Sequence, residues 1–449
     1  MGEGVITTAS AEAGRRSWKR SLSPLLLSIA ALTGIGCGLV CVGLRFILWF
    51  LQWLITGHSG LLASAASQLP LWRRVLTPVL GALAATLIVK AGSTFSAQKK
   101  FVDYVDAVQL HDGRIPFICT FWKTVSSAFS IASGAAIGRE GSMIQFAAAV
   151  TSAWGERWRP RRISLERLVA LGSAGAVASV YQAPIAGAFF ALEIVLGAGV
   201  LNWSSMHELP ALLTSAVVGS SISHYLLGQG PLFPVGGAVH FHLIDCAPVW
   251  IIAIAIGALG PAYLHVITGA RFLRRWPLAM LWSGSIVGFL SCFQPEVWGN
   301  GDSGVLAVVS NKLTMEAAGA LLILRLSATA TCVGSGVAGG VFTPTVFTGS
   351  VLGLLYGHSL HLLLPSISAP VSYAVVGIAC LLASVTHAPW MASFMTVELT
   401  GTPEWLPVVL LGSVTSWQIA KTIKSRSLYT AATPEPAPSA DAVGTDRKI

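Results

Sequence analysis

The stretch SGAAIG at residues 133–138 returns as SGVAGG at residues 335–340, so that both read SGxAxG at an offset of 202 residues. A second pair follows in the same order, ASVYQAP at 178–184 and ASVTHAP at 383–389, at an offset of 205 residues. Two matches in the same order, with offsets that differ by only three residues, indicate that the chain contains an internal duplication.

Each half also contains a lone acidic residue nine residues after the proline of the second stretch, Glu193 in the first half and Glu398 in the second. The repeats predict halves at about 24–225 and 246–430. Duplicated halves with glycine-rich interruptions at matching positions are typical of transporters whose substrate site lies between the repeats.

The composition identifies the solvent in which these halves fold. The 449 residues include 28 Lys or Arg and 19 Asp or Glu, so charged residues make up 10% of the chain, whereas hydrophobic residues make up 54%. An ordinary soluble domain has about 25% charged residues. The composition therefore argues against a soluble or disordered chain and predicts an all-α polytopic membrane protein.

Uncharged runs indicate where the chain crosses the membrane. Ser21–Leu44 contains 24 residues without a charge, and 326–397 contains 72, enough for several spans. A spanning helix needs about 20 apolar residues. The runs 75–89 and 124–138 contain only 15 residues each. We therefore expect two inverted-topology repeats with broken, re-entrant helices that end inside the membrane.

Basic residues predict the orientation. Lys and Arg residues form four clusters, at 15–20, 157–167, 271–275 and 421–426. The positive-inside rule predicts that all four lie in the cytoplasm, and with them both termini. The net charge of +9 then reflects topology and contact with anionic lipid, and no nucleic acid is expected as a partner. We expect cytoplasmic tails at 1–23 and 431–449, the second disordered, around a membrane domain at 24–430 with no soluble regulatory domain.

No metal or cofactor site is expected. The seven cysteines lie singly in apolar surroundings, and the ten histidines show no HxxxH spacing. Isolated cysteines in apolar segments usually behave as small buried hydrophobic residues.

The two glycine-rich interruptions carry groups that suit an anion. We expect a half-helix to begin after each of them, at Gly141–Ser142 and at Thr343–Pro344. Ser142 suits an N-cap, and Pro344 suits the first helical turn. Two converging helix N-termini, each with free N–H groups and about half a positive charge, bind an anion without a cation that would hold it too tightly.

The sequence GREG at 138–141 places Arg139 and Glu140 at membrane depth, where a charge costs at least ~2.5 kcal/mol. One interpretation is that the two residues form an adjacent structural pair. The other is that Glu140 points at the anion path and competes with anions for the N–H groups. We favour the second interpretation, in which Glu140 is both gate and proton acceptor and Arg139 is structural.

GREG at 138–141 followed by GVFTP at 340–344 resembles the ClC family of chloride channels and proton/chloride exchangers. Together with the two ASVxxAP stretches and the duplication, the resemblance covers most of the chain, from the first span to Tyr429. Ser142 stands where the family has a proline after GREG.

Residues 337–349 and the SLY ending at 427–429 resemble the bacterial ClcB-type branch of that family. The resemblance implies a homodimer in the bacterial cytoplasmic (inner) membrane, with one pathway per subunit for chloride or a similar small anion. It implies transport, so we expect no enzymatic activity.

The resemblance also implies roles for individual residues. Glu140 matches the gating glutamate, Val341 and Phe342 match residues whose backbone amides contact the anion, and Tyr429 matches a tyrosine whose hydroxyl faces it. The alternative for Tyr429 is an aromatic anchor at the membrane interface. Three further anion contacts and three structural residues are expected at the same site: Gly138, Gly141 and Ser142, and Arg139, Gly340 and Pro344.

Two departures from the family bear on mechanism. The family's Gly-Ser-Gly-Ile-Pro motif, whose serine binds the anion, is missing; QKKFV at 98–102 occupies roughly its place, and the pair Ile115–Pro116 lies too close to Glu140. Exchangers often have two consecutive glutamates after the APxxG segment, the second being the internal proton acceptor. Here Glu193 is followed by Ile194, which cannot accept a proton.

These observations predict passive or weakly proton-coupled transport of chloride-like anions, gated by Glu140. The alternatives are a proton-coupled chloride exchanger and an exporter of another small anion, such as fluoride or nitrate. A remote alternative is an intramembrane hydrolase that uses Ser335 and His387 as a serine–histidine pair.

Overall fold

The computed structural model describes residues 23–95, 101–158, 163–197, 203–236, 243–365, 367–423 and 426–429. These ranges contain seventeen α-helices and no β-strand: α1 Pro24–Thr56, α2 Leu62–Gln68, α3 Leu71–Phe95, α4 Tyr104–Leu110, α5 Phe117–Ala132, α6 Glu140–Trp158, α7 Leu165–Tyr181, α8 Pro184–Phe190, α9 Leu209–Leu227, α10 Cys246–Gly269, α11 Ala279–Leu290, α12 Asp302–Val309, α13 Met315–Ser335, α14 Phe342–Leu363, α15 Pro370–Thr386, α16 Pro389–Thr400 and α17 Leu406–Thr422. The two expected tails lie outside the described residues, apart from Ser23.

Five segments are long and apolar enough to cross a membrane: α1, α3, α10 together with the turn that follows it, α13 and α14. Other helices are much shorter, such as α5 with 16 residues and α16 with 12. At 1.5 Å per residue, α5 extends about 24 Å, less than the hydrocarbon thickness of about 30 Å. The predicted all-α membrane fold with broken helices is therefore confirmed.

The duplication appears as two matching runs of helices, α5–α9 and α13–α17. Each SGxAxG stretch interrupts the run after its first helix, and each ASVxxAP stretch joins the third helix to the fourth. Gln182 ends α7 in the left-handed conformation with φ 55°, and His387 ends α15 in the same way with φ 61°. The proline of each stretch then begins the next helix, because proline suits the first helical turn.

The two halves run in opposite directions. Gly138 and Gly340 form an antiparallel bridge in which each N–H donates to the other residue's carbonyl oxygen at 2.7 Å. Because these glycines are equivalent in the repeat, antiparallel pairing relates the halves by a two-fold axis that passes between them. The equivalent helices α3 and α11 also pack together, as do α8 and α16. The predicted inverted topology is confirmed.

Two partly buried carboxylates link the halves. Glu193 accepts hydrogen bonds from the first N–H groups of α16 at 2.7 and 3.4 Å, and Glu398 accepts them from the first N–H groups of α8 at 2.8 and 3.0 Å. A carboxylate stabilises a helix N-terminus by hydrogen bonding and by opposing its partial positive charge. The acid of each half therefore caps a helix of the other half.

The cores of the halves are α7 and α15. Every residue from Leu168 to Tyr181 in α7 and from Val371 to Thr386 in α15 is buried. Glycines allow α14 to approach α15 closely, since a Cβ on Gly353 would lie 2.1 Å from the carbonyl oxygen of Tyr373. This packing holds α14 rigidly, and the N-terminus of α14 forms one side of the candidate site.

Candidate functional site

The bridge between the two interruptions brings the N-termini of α6 and α14 together. The helices begin at Glu140 and Phe342, two residues after the bridging glycine in each half and one residue before the predicted starts. A Cβ on Gly141 would lie 2.7 Å from the Cα of Gly340, so this approach requires glycine. The first N–H groups of a helix have no intrahelical acceptor, and two such groups of donors therefore face one region.

A cavity of about 320 Å³ adjoins these N-termini. Seven residues predicted from the sequence line it: Glu140, Gly141, Ser142, Gly340, Val341, Phe342 and Tyr429. We call it the inner cavity, because Arg274, which lines it, belongs to the basic cluster 271–275 that the sequence predicts to lie in the cytoplasm. The sequence thus predicted a set of residues that the fold brings to one place.

Glu140 occupies the boundary of this cavity and is only 3% exposed. Its Oε1 accepts a hydrogen bond from Asn300 Nδ2 at 2.8 Å. Its Oε2 is buried and has no hydrogen-bond partner among the described residues. It lies against the bridge, since a Cβ on Gly138 would be 2.4 Å from it. One oxygen of the carboxylate is therefore held and the other is not.

Arg139 turns away from the inner cavity. Its Nη2 lies 2.9 Å from Asp302 Oδ2, while Asp302 Oδ1 accepts from Asn300 Nδ2 at 2.8 Å. Asn300 and Asp302 of the second half thus bind Glu140 and Arg139 of the first half, by a hydrogen bond and an ion pair. The sequence analysis did not identify either residue; the available signal was a turn sequence, Asn-Gly-Asp, directly before the short helix α12.

Arg325 anchors the segment that contains Asn300. The guanidinium of this residue, which is 1% exposed, donates hydrogen bonds to four successive carbonyl oxygens: Glu296, Val297, Trp298 and Gly299. Trp298 also fills the space next to Gly134, where a Cβ would meet its ring at 2.5 Å. Asn300, the hydrogen-bond partner of Glu140, therefore follows a backbone segment that Arg325 holds in place.

A second cavity, of about 490 Å³, lies next to Arg139. Its lining includes Arg45 and Trp49 from the C-terminal half of α1, together with Arg139, Asn300 and Asp302. We call it the outer cavity. Arg139 lines the outer cavity and the neighbouring Glu140 lines the inner one, so this short stretch of backbone lies between the two cavities.

Aromatic rings form part of the inner cavity wall. The ring of Tyr429 meets Phe190 edge-on with centroids 5.7 Å apart, and Tyr181 packs on Phe342 with centroids 5.0 Å apart. This location disagrees with the interfacial-anchor alternative for Tyr429. The Tyr181 hydroxyl is buried without a hydrogen-bond partner among the described residues. The sequence analysis missed Tyr181, although it is a polar group within the otherwise apolar ASVxxAP stretch.

Two predictions about the helix starts need correction. The N–H of Gly138 donates to Gly340 within the bridge, so Gly138 is structural and offers no amide to an anion. Ser142 is not an N-cap: it lies inside the first turn of α6, and its hydroxyl donates to the carbonyl of Arg139 at 2.9 Å. Pro344 lies in the first turn of α14, as predicted.

The remaining predicted positions lie farther from the bridge. Ile194 lies in the π-helical turn Ala191–Val195 and is 5% exposed, and its carbonyl accepts from Gln109 Nε2 at 2.9 Å. Of the segment that replaces the family's serine motif, residues 98–100 lie outside the described residues, and Phe101 lines the inner cavity.

The residues of the hydrolase alternative have structural roles. The Ser335 hydroxyl donates to the Cys332 carbonyl of its own helix at 3.0 Å, and His387 ends α15. The serine is thus engaged in a helix-terminal hydrogen bond, which gives the hydrolase alternative no support.

Comparisons with known proteins agree with the resemblance seen in the sequence. The family model described as "Voltage gated chloride channel" matches residues 80–421. The chain is 39% identical to a putative chloride channel protein, ClcB-like, of Ralstonia nicotianae over 417 residues, which cover 90% of this chain and 95% of the relative. It is 35% identical to the voltage-gated ClC-type chloride channel ClcB of Escherichia coli over 415 residues, covering 90% and 97%.

Solved structures share the fold. The crystal structure of a slow cyanobacterial Cl⁻/H⁺ antiporter superposes with a TM-score of 0.78 at 22% identity, covering 91% of this chain and 97% of the other. A CLC-type fluoride/proton antiporter superposes with a TM-score of 0.71 at 22% identity, covering 89% and 95%.

Proposed function

This chain belongs to the ClC family of voltage-gated chloride channels, and from that premise we propose that it moves chloride or a similar small anion across the membrane, gated by Glu140. The observation that carries the proposal is the position of Glu140. It lies at two converging helix N-termini, on the short stretch of backbone between the inner and outer cavities.

The helix N-termini provide the attraction for the anion. The amides at Gly141, Val341 and Phe342 belong to the first turns of α6 and α14, where N–H groups lack intrahelical acceptors. An anion in the inner cavity accepts from these donors and from the Tyr429 hydroxyl. The interaction uses partial charges rather than a full cation in contact with the anion, so the anion is bound and still released.

Glu140 closes the path by competing for the same donors. An ionised carboxylate at the two N-termini excludes a second anion by occupying the site and by charge repulsion. Protonation removes that charge and lets the side chain leave, while Asn300 retains its hold on one oxygen. Glu140 is therefore both the gate and the group that receives a proton from the outer side.

Proton movement on the inner side is weak in this proposal. Ile194, at the position of the family's internal proton acceptor, has no group that titrates. Glu193 next to it is engaged as the cap of α16. The chain therefore moves many anions per proton or none, as a channel-like protein does.

One observation favours the alternative of a proton-coupled exchanger. Asp103, the N-cap of α4, lines the same inner cavity as Glu140. Water in that cavity would connect the two carboxylates without Ile194. Asp103→Asn tests this route: in an exchanger that uses it, proton movement falls while anion flux persists.

The assembly and its location are also part of the proposal. We place the chain as a multi-pass homodimer in the bacterial cytoplasmic membrane, with one pathway per subunit and both termini in the cytoplasm. Chloride and membrane lipid are its partners, and neither a cofactor nor a catalytic reaction is assigned. Multi-angle light scattering of the purified protein tests the dimer.

Simultaneous recording of chloride efflux and proton uptake in proteoliposomes tests the transport function. The wild-type protein should release chloride down its gradient with little or no proton uptake, and Ile194→Glu should create or strengthen proton movement without abolishing anion flux. Protein-free liposomes set the background. Absence of chloride flux above this background refutes transport, whereas uphill proton pumping at a fixed small ratio to chloride establishes the exchanger alternative.

A further inference from the structure

Arg45 is a buried cation for which the described part of the chain provides no hydrogen-bond acceptor. It lies in the C-terminal half of α1, is 8% exposed, and its Nε is buried with no hydrogen-bond partner among the described residues. The described residues also provide no carboxylate within ion-pair distance of it; its recorded contact is a cation–π approach of 5.8 Å to the ring of Trp49. Burial of an unpaired charge is costly, so buried charges are normally paired and hydrogen-bonded.

Arg325 shows how this fold treats a buried arginine that has a structural role. Its guanidinium donates to the carbonyl oxygens of four successive residues and stacks over Phe347 at 5.1 Å. Arg45 has a comparable burial and none of these acceptors. A guanidinium presents five N–H donors in a fixed plane, and those of Arg45 remain available to something other than the described protein groups.

The outer cavity is the place to which Arg45 contributes. Arg45 lines it together with Gln52, Arg139 and Asp302. The carboxylate of Asp302 is already committed to Arg139, at 2.9 Å. The amide of Gln52 is also engaged, since its Nε2 donates to the Gly60 carbonyl at 3.0 Å. The positive charge of Arg45 is thus the one left over in this cavity.

We propose that the outer cavity is a second binding site for a small monovalent inorganic anion, of the halide or nitrate class, held by the guanidinium of Arg45. The proposal rests on the proposed transport function and adds an anion position on the far side of Glu140 from the inner cavity. It assigns Arg45 as a ligand of the transported class of ion.

The surrounding charges explain why such a site releases its ion. Arg45 lies in the electrostatic field of Arg139, Asp302 and Glu140. With Glu140 ionised, the two arginines are balanced by two carboxylates, and an anion in the outer cavity is held weakly. When Glu140 is protonated, the group has one net positive charge, and the anion binds more tightly. The outer site therefore fills when the gate is ready to open.

Bromide provides a direct probe of position, because its anomalous scattering locates it in crystals of the purified full-length protein. In the wild type we expect bromide in the inner cavity and, separately, in the outer cavity beside the Arg45 guanidinium. Arg45→Gln should lose the outer bromide and keep the inner one, and Arg45→Lys, which keeps the charge, should retain both.

Chloride flux provides the functional readout. Arg45→Gln should raise the half-saturating chloride concentration about tenfold in proteoliposomes, and Arg45→Lys should change it by less than threefold. Arg73→Gln is the matched control: Arg73 bonds the carbonyl of Ile55 near the same end of α1, at 3.3 Å, and does not line the outer cavity. Its half-saturating concentration should match the wild type.

The outcomes separate the two proposals. Bromide in the inner cavity with none beside Arg45 overturns the outer site and leaves transport intact, as does an Arg45→Gln flux curve that coincides with that of Arg73→Gln. Absence of bromide from both cavities, together with absence of flux, overturns both proposals. Outer bromide that disappears only in Arg45→Gln, with the tenfold shift, establishes the site.

Discussion

Two sets of equivalent residues connect the halves, and they differ in how closely the halves match. At the helix caps the halves are alike: Glu193 caps a helix of the second half, and Glu398 caps a helix of the first. At the paired interruptions they differ, because the first half has Arg139–Glu140 where the second has Val341–Phe342. The repeated residues hold the halves together, and the unlike residues include Glu140, the proposed gate.

The segments in front of the short helices α4 and α12 show the same division. Both precede the first helix of the repeat unit that leads to the interruption. The segment before α12 carries Asn300, which clasps Glu140 on the outer side. The segment before α4 carries Phe101 and Asp103, which line the inner cavity. Of these two equivalent segments, the one before α12 contacts Glu140, and the one before α4 lines the cavity next to it.

Removal of the gate should have the largest effect on function. Glu140→Gln mimics the protonated side chain and Glu140→Ala removes it, so both variants should conduct anions with little dependence on pH. Any proton coupling should disappear, because no other residue at the paired N-termini titrates. Flux measured in proteoliposomes across pH 4.5–7.5 checks this.

The matched control is a partly buried glutamate that links the halves. Glu193→Gln keeps an oxygen that accepts from the N-terminus of α16, so its pH dependence should equal that of the wild type. A Glu140→Ala variant with unchanged pH dependence would show that the gate lies elsewhere.

Removal of a cap should affect stability rather than pH dependence. Glu193→Ala leaves the first N–H groups of α16 without their acceptor, and Glu398→Ala does the same at α8. Each unsatisfied buried group costs about 1–3 kcal/mol, and only one N–H group of each pair belongs to a buried residue, so each variant should lose about 1–3 kcal/mol. Thermal unfolding in detergent measures this loss.

The symmetry of the caps makes this prediction stricter. Since the two carboxylates make equivalent pairs of hydrogen bonds, the two alanine variants should lower the unfolding temperature by similar amounts. A large loss for one and none for the other would contradict the equivalent structural role of the two acids.

The parts of the site that were predictable from the sequence are those encoded locally. The SGxAxG interruptions and the ASVxxAP stretches identify the helix ends to within about one residue, because glycine and proline restrict the backbone directly. The partners of Glu140 were not predictable in this way. Asn300 lies 160 residues away and makes its contact only through the antiparallel assembly of the halves.

The role of Gly138 illustrates the same limit. Its sequence context is that of an amide at a helix start, and only the bridge to Gly340 shows that its N–H is already used. The acids present a related case. Their equal spacing from proline indicated a common role, while the exchange of caps between halves depends on the packing of α8 against α16.

The smallest predicted effects concern Tyr181 and Tyr429, two of the three tyrosines that line the inner cavity, which come from different halves of the chain. Tyr429→Phe removes one neutral hydrogen bond, worth about 0.5–1.5 kcal/mol, so anion affinity should fall about tenfold at most. Tyr181→Phe should weaken affinity by a similar or smaller factor without loss of stability, because its hydroxyl has no hydrogen-bond partner among the described residues. Calorimetric titration of the purified protein with chloride measures both affinities.

Tyr263, a buried tyrosine away from the inner cavity, distinguishes binding from packing. Tyr263 exchanges a hydrogen bond with Thr345 at 3.0 Å and does not line the inner cavity. Tyr263→Phe should therefore lower stability and leave chloride affinity unchanged, the reverse of the pattern for Tyr181→Phe. If Tyr429→Phe and Tyr429→Ala both bind chloride as the wild type does, Tyr429 acts as an aromatic anchor, and the helix N-termini alone hold the anion. Because Tyr181 comes from the first half and Tyr429 from the second, a deficit in only one variant would show that the anion contacts that tyrosine and not the other.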